Sequence, residues 1–366
     1  MNLISSLISL LIIYIICYPF IEIIKGKICR KKIKQYDSEI KKPISIIISV
    51  FNEERYIQGK IEEILNEDIW LNGSELIIVS AGSTDSTNEI LKSYAENLKI
   101  KTIIKTEHLL KIESINAAVE LSTNDILIFS DCKQTMKKGS ISLLINTLIN
   151  EKIGVAAGTL VNLKNGKPHQ SFRKWLNAMN VLKVKNGSSM NVYGALYAIH
   201  KSSYRPIPTD ILFDDLYVLA SVLSQGKKII QVENAIIYEV NFDTYYQEER
   251  IQRLTRGLLL FWINHFNLIR KMPFNYQYHF IMSKYSKLTL PLLLIFASIL
   301  KVRFLLIENN LFYNFIFLSI IISGLILYLL FPFIRISCKL IYYTLKSEYL
   351  FFFKNQRSIR WEKLKH

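Results

Sequence analysis

Cysteine, glycine and proline are all scarce in this chain of 366 residues, which has 4 Cys, 13 Gly and 8 Pro. The cysteines at positions 17, 29, 132 and 338 are far apart. This spacing argues against a disulfide framework and against a zinc ribbon. The sequence has no Gly-x-Gly-x-x-Gly string and no P-loop string, and its 6 histidines show no metal-ligand spacing. It therefore indicates neither a dinucleotide-binding domain nor a P-loop nucleotidase.

Acidic residues are outnumbered, with 30 Asp+Glu against 46 Lys+Arg and a formal net charge of +16. Half of the residues are hydrophobic and the mean hydropathy is positive at +0.21. This composition excludes a disordered chain and argues against an ordinary soluble enzyme. The surplus positive charge lies beside long uncharged runs, and no recognition module accompanies it. We therefore expect contact with anionic lipid and no binding of nucleic acid.

Long uncharged runs predict a multi-pass protein of the inner cell membrane. Residues 1–21 and 309–334 contain no charged side chain, and each run is long enough to cross a bilayer as a helix. The first lacks the basic start and the cleavage site of a signal peptide. We expect transmembrane helices at 1–24, 285–307 and 309–334; in the second, Lys287, Lys301 and Arg303 must snorkel.

Basic clusters give the predicted orientation. One cluster forms the linker at 25–42, and another lies in the tail at 354–365. Positive flanks stay in the cytoplasm, so we expect the N-terminus outside and both clusters inside. Residues 335–366 are then an interfacial helix followed by a basic cytoplasmic tail, and 245–280 form interfacial amphipathic helices.

The segment at 43–244 predicts a cytoplasmic α/β domain with a mixed, mostly parallel sheet, because β-rich runs alternate with helical patterns. The predicted strands are 44–50, 76–80, 102–105, 125–130, 155–158, 192–200, 228–232 and 235–239. The predicted helices are 56–66, one beginning near residue 88, 113–121 and 216–225, the last closed by Gly226.

Polar side chains gather where these strands end. Asn52 and Glu53 follow the first strand, Ser83 and Asp85 the second, and Asp131 the fourth. Ligands of such sheets bind beyond the carboxyl ends of the strands. Carboxylates that converge there repel one another unless a cation, or a polyanion with its metal, needs them.

The sequence resembles the membrane-bound glycosyltransferases of family 2, which have the GT-A fold. The strings that carry the resemblance lie in family order within residues 43–257. They are ISIIISVFNEERYI, ELIIVSAGSTDSTNEIL, KIESINAAVELSTNDILIFSDCK, GALYAIHKSSY, ILFDDLYVLASVLSQGKKI and EERIQRLTRG. The resemblance implies an inverting enzyme that moves a sugar from a nucleotide-diphosphate sugar, by default a UDP-sugar, to an acceptor hydroxyl.

Roles for the donor-binding residues follow from the resemblance. The residues implied to hold the nucleotide sugar are Phe51, Asn52, Glu53, Ser83, Asp85, Lys111, Asp131, Lys133, Arg250, Arg253 and Arg256. Lys111 is a candidate phosphate contact or a solvated surface lysine. The three arginines recur every third residue on a predicted helix, which either closes on the pyrophosphate or contacts lipid headgroups.

The metal and the base are also implied by the resemblance. Asp131-Cys132-Lys133 stands where the family has an Asp-x-Asp or Asp-x-Asn metal motif. Asp131 can ligate Mg²⁺ or Mn²⁺, whereas Lys133 either points away or sets a fixed cation against the diphosphate. We expect weak metal binding that is assisted by the donor. Asp214-Asp215 matches the family's acidic pair, whose second member is the general base; the alternative is a helix cap.

Three readings of the function remain open at this point. Single transfer to a lipid-linked or glycolipid acceptor, in cell-surface polysaccharide or glycolipid synthesis, agrees with few spans and with the missing Gln-x-x-Arg-Trp motif. A processive polysaccharide synthase is the second reading. A non-catalytic scaffold of an assembly complex is the third, because Ala81 replaces the family's base-reading Asp and Lys133 weakens the metal motif. A transporter is disfavoured because residues 309–334 carry no charge.

Overall fold

The computed structural model describes residues 2–28, 42–150, 152–164, 167–168, 172–240, 247–308 and 332–354. The described residues fall into two units. One unit comprises Ile21–Phe242 and Phe266–Gln277, and the other comprises Met1–Phe20, Asp243–His265 and Tyr278–Ser358. Each is considered by itself below.

A nine-stranded mixed sheet forms the centre of the first unit. Its first strand, β1 (Ile44–Val50), is rich in isoleucine and almost wholly buried, as expected of a strand covered on both faces. The others are β2 (Glu75–Ala81), β3 (Ile100–Lys105), β4 (Ile126–Ser130), β5 (Thr135–Met136), β6 (Ile153–Lys164), β7 (Lys167–Pro168), β8 (Leu196–His200) and β9 (Lys228–Val240).

The strand order is β3-β2-β1-β4-β8-β6-β9-β5, with β7 paired to β6. Strands β1, β2, β3 and β4 are parallel, whereas β8 is antiparallel to both β4 and β6. The carboxyl ends of β1, β2, β3 and β4 therefore share one edge of the sheet, and β8 begins at that same edge. This is where the sequence predicted the ligand site.

Helices cover both faces of the sheet. They are α2 (Ile57–Leu65), α3 (Thr87–Ser93), α4 (Lys111–Leu121), α5 (Ser140–Leu148), α6 (Phe172–Asn186) and α7 (Asp214–Ser224). Buried side chains of α2 and α5 join one large apolar cluster with alternate residues of β1, β2 and β4. Helix α4 packs on β1 and β2 through buried residues outside that cluster, and thus on the opposite face. Because the helices enclose the parallel strands, their ends are the accessible part.

The second unit contains long helices. These are most of α1 (Asn2–Ile28), α8 (Gln247–Lys271), α9 (Phe274–Lys284), α10 (Ser286–Glu308) and α11 (Pro332–Phe353), the last described helix. Within this unit, Tyr18 Oη lies 2.9 Å from His279 Nδ1, and Lys346 Nζ lies 2.7 Å from Glu248 Oε1. Ser347 Oγ donates to the Gln252 carbonyl at 3.2 Å, so α11 is bonded to α8.

One described helix, at Ile4–Ile28, is long and apolar enough to cross a membrane. A second candidate is the pair Phe274–Lys284 and Ser286–Arg303, which is bent by 63°. The predicted span at 309–334 lies almost entirely outside the described residues. Flanking membrane helices are therefore supported by α1, and the three-span scheme stays a prediction.

The α/β prediction is confirmed, and its differences from the structure are local. The two strands predicted at 228–232 and 235–239 are one continuous strand, β9, whose pairing with β6 is interrupted by register shifts. Helices α5 and α6 were not predicted. Gly226 follows α7 with a φ of +73°, as the predicted helix stop requires.

Candidate functional site

The loops after β1 and β2 are bonded together at the carboxyl edge of the sheet. Asn52 adopts a left-handed backbone conformation, with a φ of 53°. Its amide N–H donates to Ser83 Oγ at 3.1 Å, and its side-chain oxygen accepts the Thr84 N–H at 2.8 Å. A strained backbone of this kind persists when its surroundings hold it in place. Asn52 and Ser83, both predicted to contact the nucleotide, therefore also brace each other.

Asp85 continues this bracing. Its Oδ2 accepts the Glu54 N–H at 3.2 Å and its Oδ1 accepts the Thr87 N–H at 3.0 Å. The Glu53 N–H in turn donates to Thr87 Oγ1 at 2.8 Å. Asp85 thus caps the start of α3 and fixes the loop after β1, a structural role in addition to the predicted contact with the nucleotide.

An aromatic pair lies beside these loops. The Phe51 ring centroid is 4.4 Å from that of His108, with the rings tilted by 59°. Gly82 allows the loop after β2 to lie against the backbone of Glu107 and His108. It has a φ of +77°, and a Cβ there would lie 2.6 Å from the Glu107 carbonyl oxygen. His108 was not among the predicted residues, although its position just after β3 could have suggested it.

Lys111, Asp131 and Asp214 form an ion cluster at the same edge. Lys111 Nζ lies 2.9 Å from Asp131 Oδ1 and 3.2 Å from Asp214 Oδ2. The three side chains are 25%, 31% and 15% exposed in that order. Burial would lower the pKa of Lys111, but the carboxylates of Asp131 and Asp214 outweigh it and raise the pKa above its usual value. Lys111 is therefore a charged member of the site and not a solvated surface lysine.

Helix and strand ends position this cluster. Lys111 is the first residue of α4, whose start is held by the Leu110 N–H donating to Glu113 Oε2 at 2.8 Å. Asp131 directly follows β4, and Asp214 begins α7. Acidic residues in the first turn of a helix are stabilised by the helix dipole, so the capping interpretation of Asp214-Asp215 is compatible with a place in the site.

Gly194 lies beside both acids of α7. A Cβ placed there would be in ordinary van der Waals contact, at 3.9 Å, with Asp214 Oδ2 and with Asp215 Cβ. Asp215 is half-buried. Gly194 thus contributes only backbone atoms next to the acidic pair.

The Asp131-Cys132-Lys133 segment alternates between the site and the core. Cys132 is buried in the apolar cluster, and burial raises the pKa of its thiol to about 12, so it is not a nucleophile at neutral pH. Lys133 Nζ lies 3.9 Å from Glu53 Oε1 and 6.0 Å from the centre of the Tyr56 ring. Lys133 thus places a positive charge near the end of β1.

The described residues contain no group of three or more His, Cys, Asp or Glu side chains arranged to hold a metal ion. Asp131 remains the predicted ligand, with Oδ1 bonded to Lys111 and the carboxylate 31% exposed. One carboxylate of this kind suits a divalent ion held mainly by the phosphate oxygens of a nucleotide. The residues present fit a metal that arrives with the donor.

Arg250, Arg253 and Arg256 lie on α8, within the second unit. They recur at helical spacing, as predicted, and this stretch of α8 also carries Glu248, the ion-pair partner of Lys346. Their contact with a pyrophosphate stays a prediction.

An aromatic stack behind the acids was not predicted. The Phe129 ring stacks on those of Tyr197 and Tyr204, at centroid distances of 4.7 and 5.7 Å and an interplanar angle of 14° for each pair. Tyr204 Oη donates to Asn116 Oδ1 at 2.7 Å, and Asn116 also accepts the Ile207 N–H at 3.0 Å. The alternation of side chains along the strand at 196–200 could have indicated which face Tyr197 occupies. The stack itself depends on the register between β4 and β8, which pairs Tyr197 with Phe129.

Residues 45–204 match the model of the family "Glycosyl transferase family 2". One relative is a dolichyl N-acetyl-α-D-glucosaminyl phosphate 3-β-D-2,3-diacetamido-2,3-dideoxy-β-D-glucuronosyltransferase of Methanococcus voltae, 33% identical over 23% of this chain and 27% of its own length. Another is the minor teichoic acid biosynthesis protein GgaA of Bacillus subtilis, 41% identical over 16% of this chain and 14% of its own length. The chain thus spans less than a third of the length of these relatives.

A solved structure resembles the whole chain. The mannosyltransferase PcManGT of Pyrobaculum calidifontis, in complex with GDP-Man and Mn²⁺, has a TM-score of 0.74. The similarity covers 96% of this chain and 100% of that protein at 18% sequence identity. At this identity the similarity establishes the fold, and the GT-A prediction is confirmed.

Proposed function

We propose that the chain transfers a sugar from a nucleotide-diphosphate sugar to an acceptor hydroxyl with inversion, because its residues 45–204 match the model of glycosyltransferase family 2. The observation that carries the proposal is the cluster of Lys111, Asp131 and Asp214 at the carboxyl edge of the parallel strands, next to Asp215. It combines a cation for the leaving diphosphate with a carboxylate for the acceptor proton.

On the donor side, the braced loops after β1 and β2 offer a preorganised wall for the nucleoside. The Phe51–His108 pair supplies an apolar face there. Lys111 and Lys133 supply positive charge near the ends of β4 and β1. We propose that both ammonium groups neutralise the diphosphate.

In the transfer step, Asp215 accepts the proton of the acceptor hydroxyl while that oxygen attacks the anomeric carbon. The bond between this carbon and the diphosphate breaks on the opposite side, which inverts the configuration. Asp214 keeps Lys111 in place and adds to the negative field that favours proton transfer to the acidic pair.

Asp131 would hold Mg²⁺ or Mn²⁺ together with the phosphate oxygens of the donor. When bound, the ion supplies positive charge that stabilises the leaving diphosphate. The Mn²⁺ in the PcManGT complex supports this proposal at the level of the fold.

The acceptor is proposed to be lipid-linked and to lie at the cytoplasmic face of the membrane. Support comes from α1, whose apolar side chains Ile4, Leu10 and Ile13 are more than half exposed. The name of one relative, which contains a dolichyl phosphate-linked sugar, points to the same acceptor class. The proposed arrangement is three spans with a cytoplasmic catalytic domain that adds one sugar at a time.

The test is a donor screen on membranes that contain the full chain, with UDP- and GDP-sugars and a lipid-linked acceptor, with and without EDTA. Nucleoside diphosphate release should depend on one donor class and should fall in EDTA. Asp215→Asn should keep donor binding and lose on the order of 10²–10⁴ in transfer rate. Asp68→Asn is the matched control, because that carboxylate lies after the end of α2 and is 85% exposed.

Transfer by Asp215→Asn at the wild-type rate would remove the base assignment. Failure of the wild-type chain to consume any donor would favour the non-catalytic scaffold. A long polymer as product would favour the processive synthase.

A further inference from the structure

The hydroxyl of Tyr197 is buried without a hydrogen-bond partner. The side chain is 1% exposed, and its Oη has no partner among the described residues. An unmade hydrogen bond of this kind destabilises the folded chain. A buried polar group that is left unsatisfied in a folded protein calls for a functional explanation.

The ring of Tyr197 is packed against neighbouring aromatic rings. Tyr197 pairs with Phe129 across β8 and β4, and the two rings stack at 4.7 Å. Tyr204 also stacks on Phe129, at 5.7 Å, and its hydroxyl bonds Asn116. Tyr197 is thus packed in a group of aromatic rings and is 1% exposed.

Strand β8 begins beside the acids of the site. The Asp131 N–H donates to the Ala195 carbonyl at 3.2 Å, and a Cβ on Gly194 would lie 3.9 Å from Asp214 Oδ2. Tyr197 follows on the same strand and pairs with Phe129, two residues before Asp131. Burial first, and then the charge of Asp214, raise the pKa of Tyr197 well above its usual value, so the phenol is a neutral donor.

Donor binding should change the ion pairs that Lys111 makes with the two acids. It bridges Asp131 and Asp214 with one ammonium group. A diphosphate that enters the site brings further negative charge for the same ammonium, as in the proposed function. Asp214, 15% exposed, then loses part of its counter-charge while it is largely shielded from water.

We propose that the Tyr197 hydroxyl donates a hydrogen bond to Asp214 when Lys111 turns to the donor diphosphate. Tyr197 is then a positioning residue that keeps Asp214, and with it the start of α7 and Asp215, in place in the loaded state. This inference rests on the proposed function. It explains why the hydroxyl lacks a partner in the donor-free chain.

The test compares Tyr197→Phe with the wild-type full chain in detergent, by thermal unfolding with and without UDP or GDP and Mg²⁺. Without nucleotide, the variant should unfold at the wild-type temperature or slightly above it, because an unsatisfied hydroxyl is removed. The upward shift produced by the nucleotide should fall to less than half of the wild-type shift. In transfer assays kcat should fall about tenfold, the effect of one hydrogen bond to a charged group, with a smaller change in donor KM.

Tyr204→Phe is the matched control, because it removes the hydroxyl of another tyrosine that stacks on Phe129. Its hydroxyl already bonds Asn116, so this variant should lose stability equally with and without nucleotide and keep the nucleotide-induced shift. A Tyr197→Phe chain that keeps the full shift, or that loses stability without nucleotide as Tyr204→Phe does, would overturn the inference alone. A wild-type chain that no nucleotide stabilises would overturn the proposed function and the inference with it.

Discussion

At the scale of single residues, Lys111 determines the state of the candidate site. Its ammonium neutralises one of the two carboxylates that it contacts at 2.9 and 3.2 Å. Without it, Asp131 and Asp214 would face each other across a partly desolvated space. A carboxylate left without its partner costs more than the ion pair contributes. We therefore regard Lys111 as the structural counter-ion of these two acids, and its contact with a phosphate stays a prediction.

Replacing Lys111 by Met should lower the free energy of unfolding by about 1–3 kcal/mol, because it leaves two carboxylates unpaired while keeping the side-chain volume. Lys133→Met is the control: the Lys133 ammonium lies 3.9 Å from its Glu53 partner, and a loose pair of this kind contributes about 0–1 kcal/mol. Chemical denaturation of both variants in detergent measures the difference. Equal stabilities would show that Lys111 is not the counter-ion of the two acids.

The residue identities of the site were predictable to a large extent, but their pairing was not. The positions of Asp131 and Asp214 at element ends follow from the sequence pattern. That one lysine bridges them follows from α4, β4 and α7 meeting at one edge, which no local pattern encodes. Likewise, Ser83 and Asp85 were expected to face the ligand, and their bonds to the loop after β1 emerge only in the folded chain.

At the scale of the elements, a second polar cluster holds the opposite ends of the parallel strands. Glu75, the first residue of β2, accepts from Ser45 Oγ at 2.6 Å, from the Thr123 N–H at 2.8 Å and from Lys101 Nζ at 2.5 Å. These partners lie on β1, before β4, and on β3. One buried carboxylate thus joins all four parallel strands at the edge away from the site.

Glu75→Gln should destabilise the chain by about 1.5–3 kcal/mol at neutral pH, the effect of hydrogen bonds to a charged group. Burial alone would raise the pKa of Glu75, but the bonds from Lys101, Ser45 and Thr123 prevail and lower it below its usual value. A group with a lowered folded-state pKa stabilises fully above its unfolded pKa, which is about 4.3. That contribution disappears as the pH falls through the folded-state value.

The difference in unfolding free energy between wild type and Glu75→Gln should therefore be largest above about pH 6 and shrink below about pH 4. Unfolding series in detergent at several pH values test this. Glu120→Gln, at an exposed position of α4, should differ from wild type by less than about 0.5 kcal/mol at every pH. A Glu75→Gln difference that does not change with pH would contradict the ionised-carboxylate interpretation.

Strands were more predictable than helices on this scale. Buried strands such as Ile44–Val50 can be predicted from their runs of β-branched residues, and β1 has the predicted bounds. Helix α5 was missed because its sequence, SISLLINTL, begins after Gly139 without a capping side chain. Its identity as a helix depends on packing against β6, β8 and β9, which tertiary contacts provide.

At the scale of the whole molecule, the distribution of charge matters more than its sum. The net charge of +16 is concentrated in the segments at 25–42 and 354–365, beside apolar runs. Such clusters bind an anionic leaflet with about 1 kcal/mol per Lys or Arg. Segments rich in Lys and Arg are also disfavoured from crossing the membrane when the protein inserts. We expect both effects to keep the two segments on the cytoplasmic side.

We predict three spans with the N-terminus outside from this distribution, and site-directed labelling tests them in a chain whose native cysteines are replaced. A membrane-impermeant thiol reagent should label a cysteine introduced at Asn2 or at Asn309 in intact cells. It should label one at Lys365 only after the membrane is permeabilised. Glu120→Cys is the control for the catalytic domain, because this position is exposed on α4 and should also need permeabilisation. Labelling at 365 in intact cells would contradict an odd number of spans. Labelling at 2 but not at 309 would instead leave α1 as the anchor and place the helices after residue 285 on the cytoplasmic side.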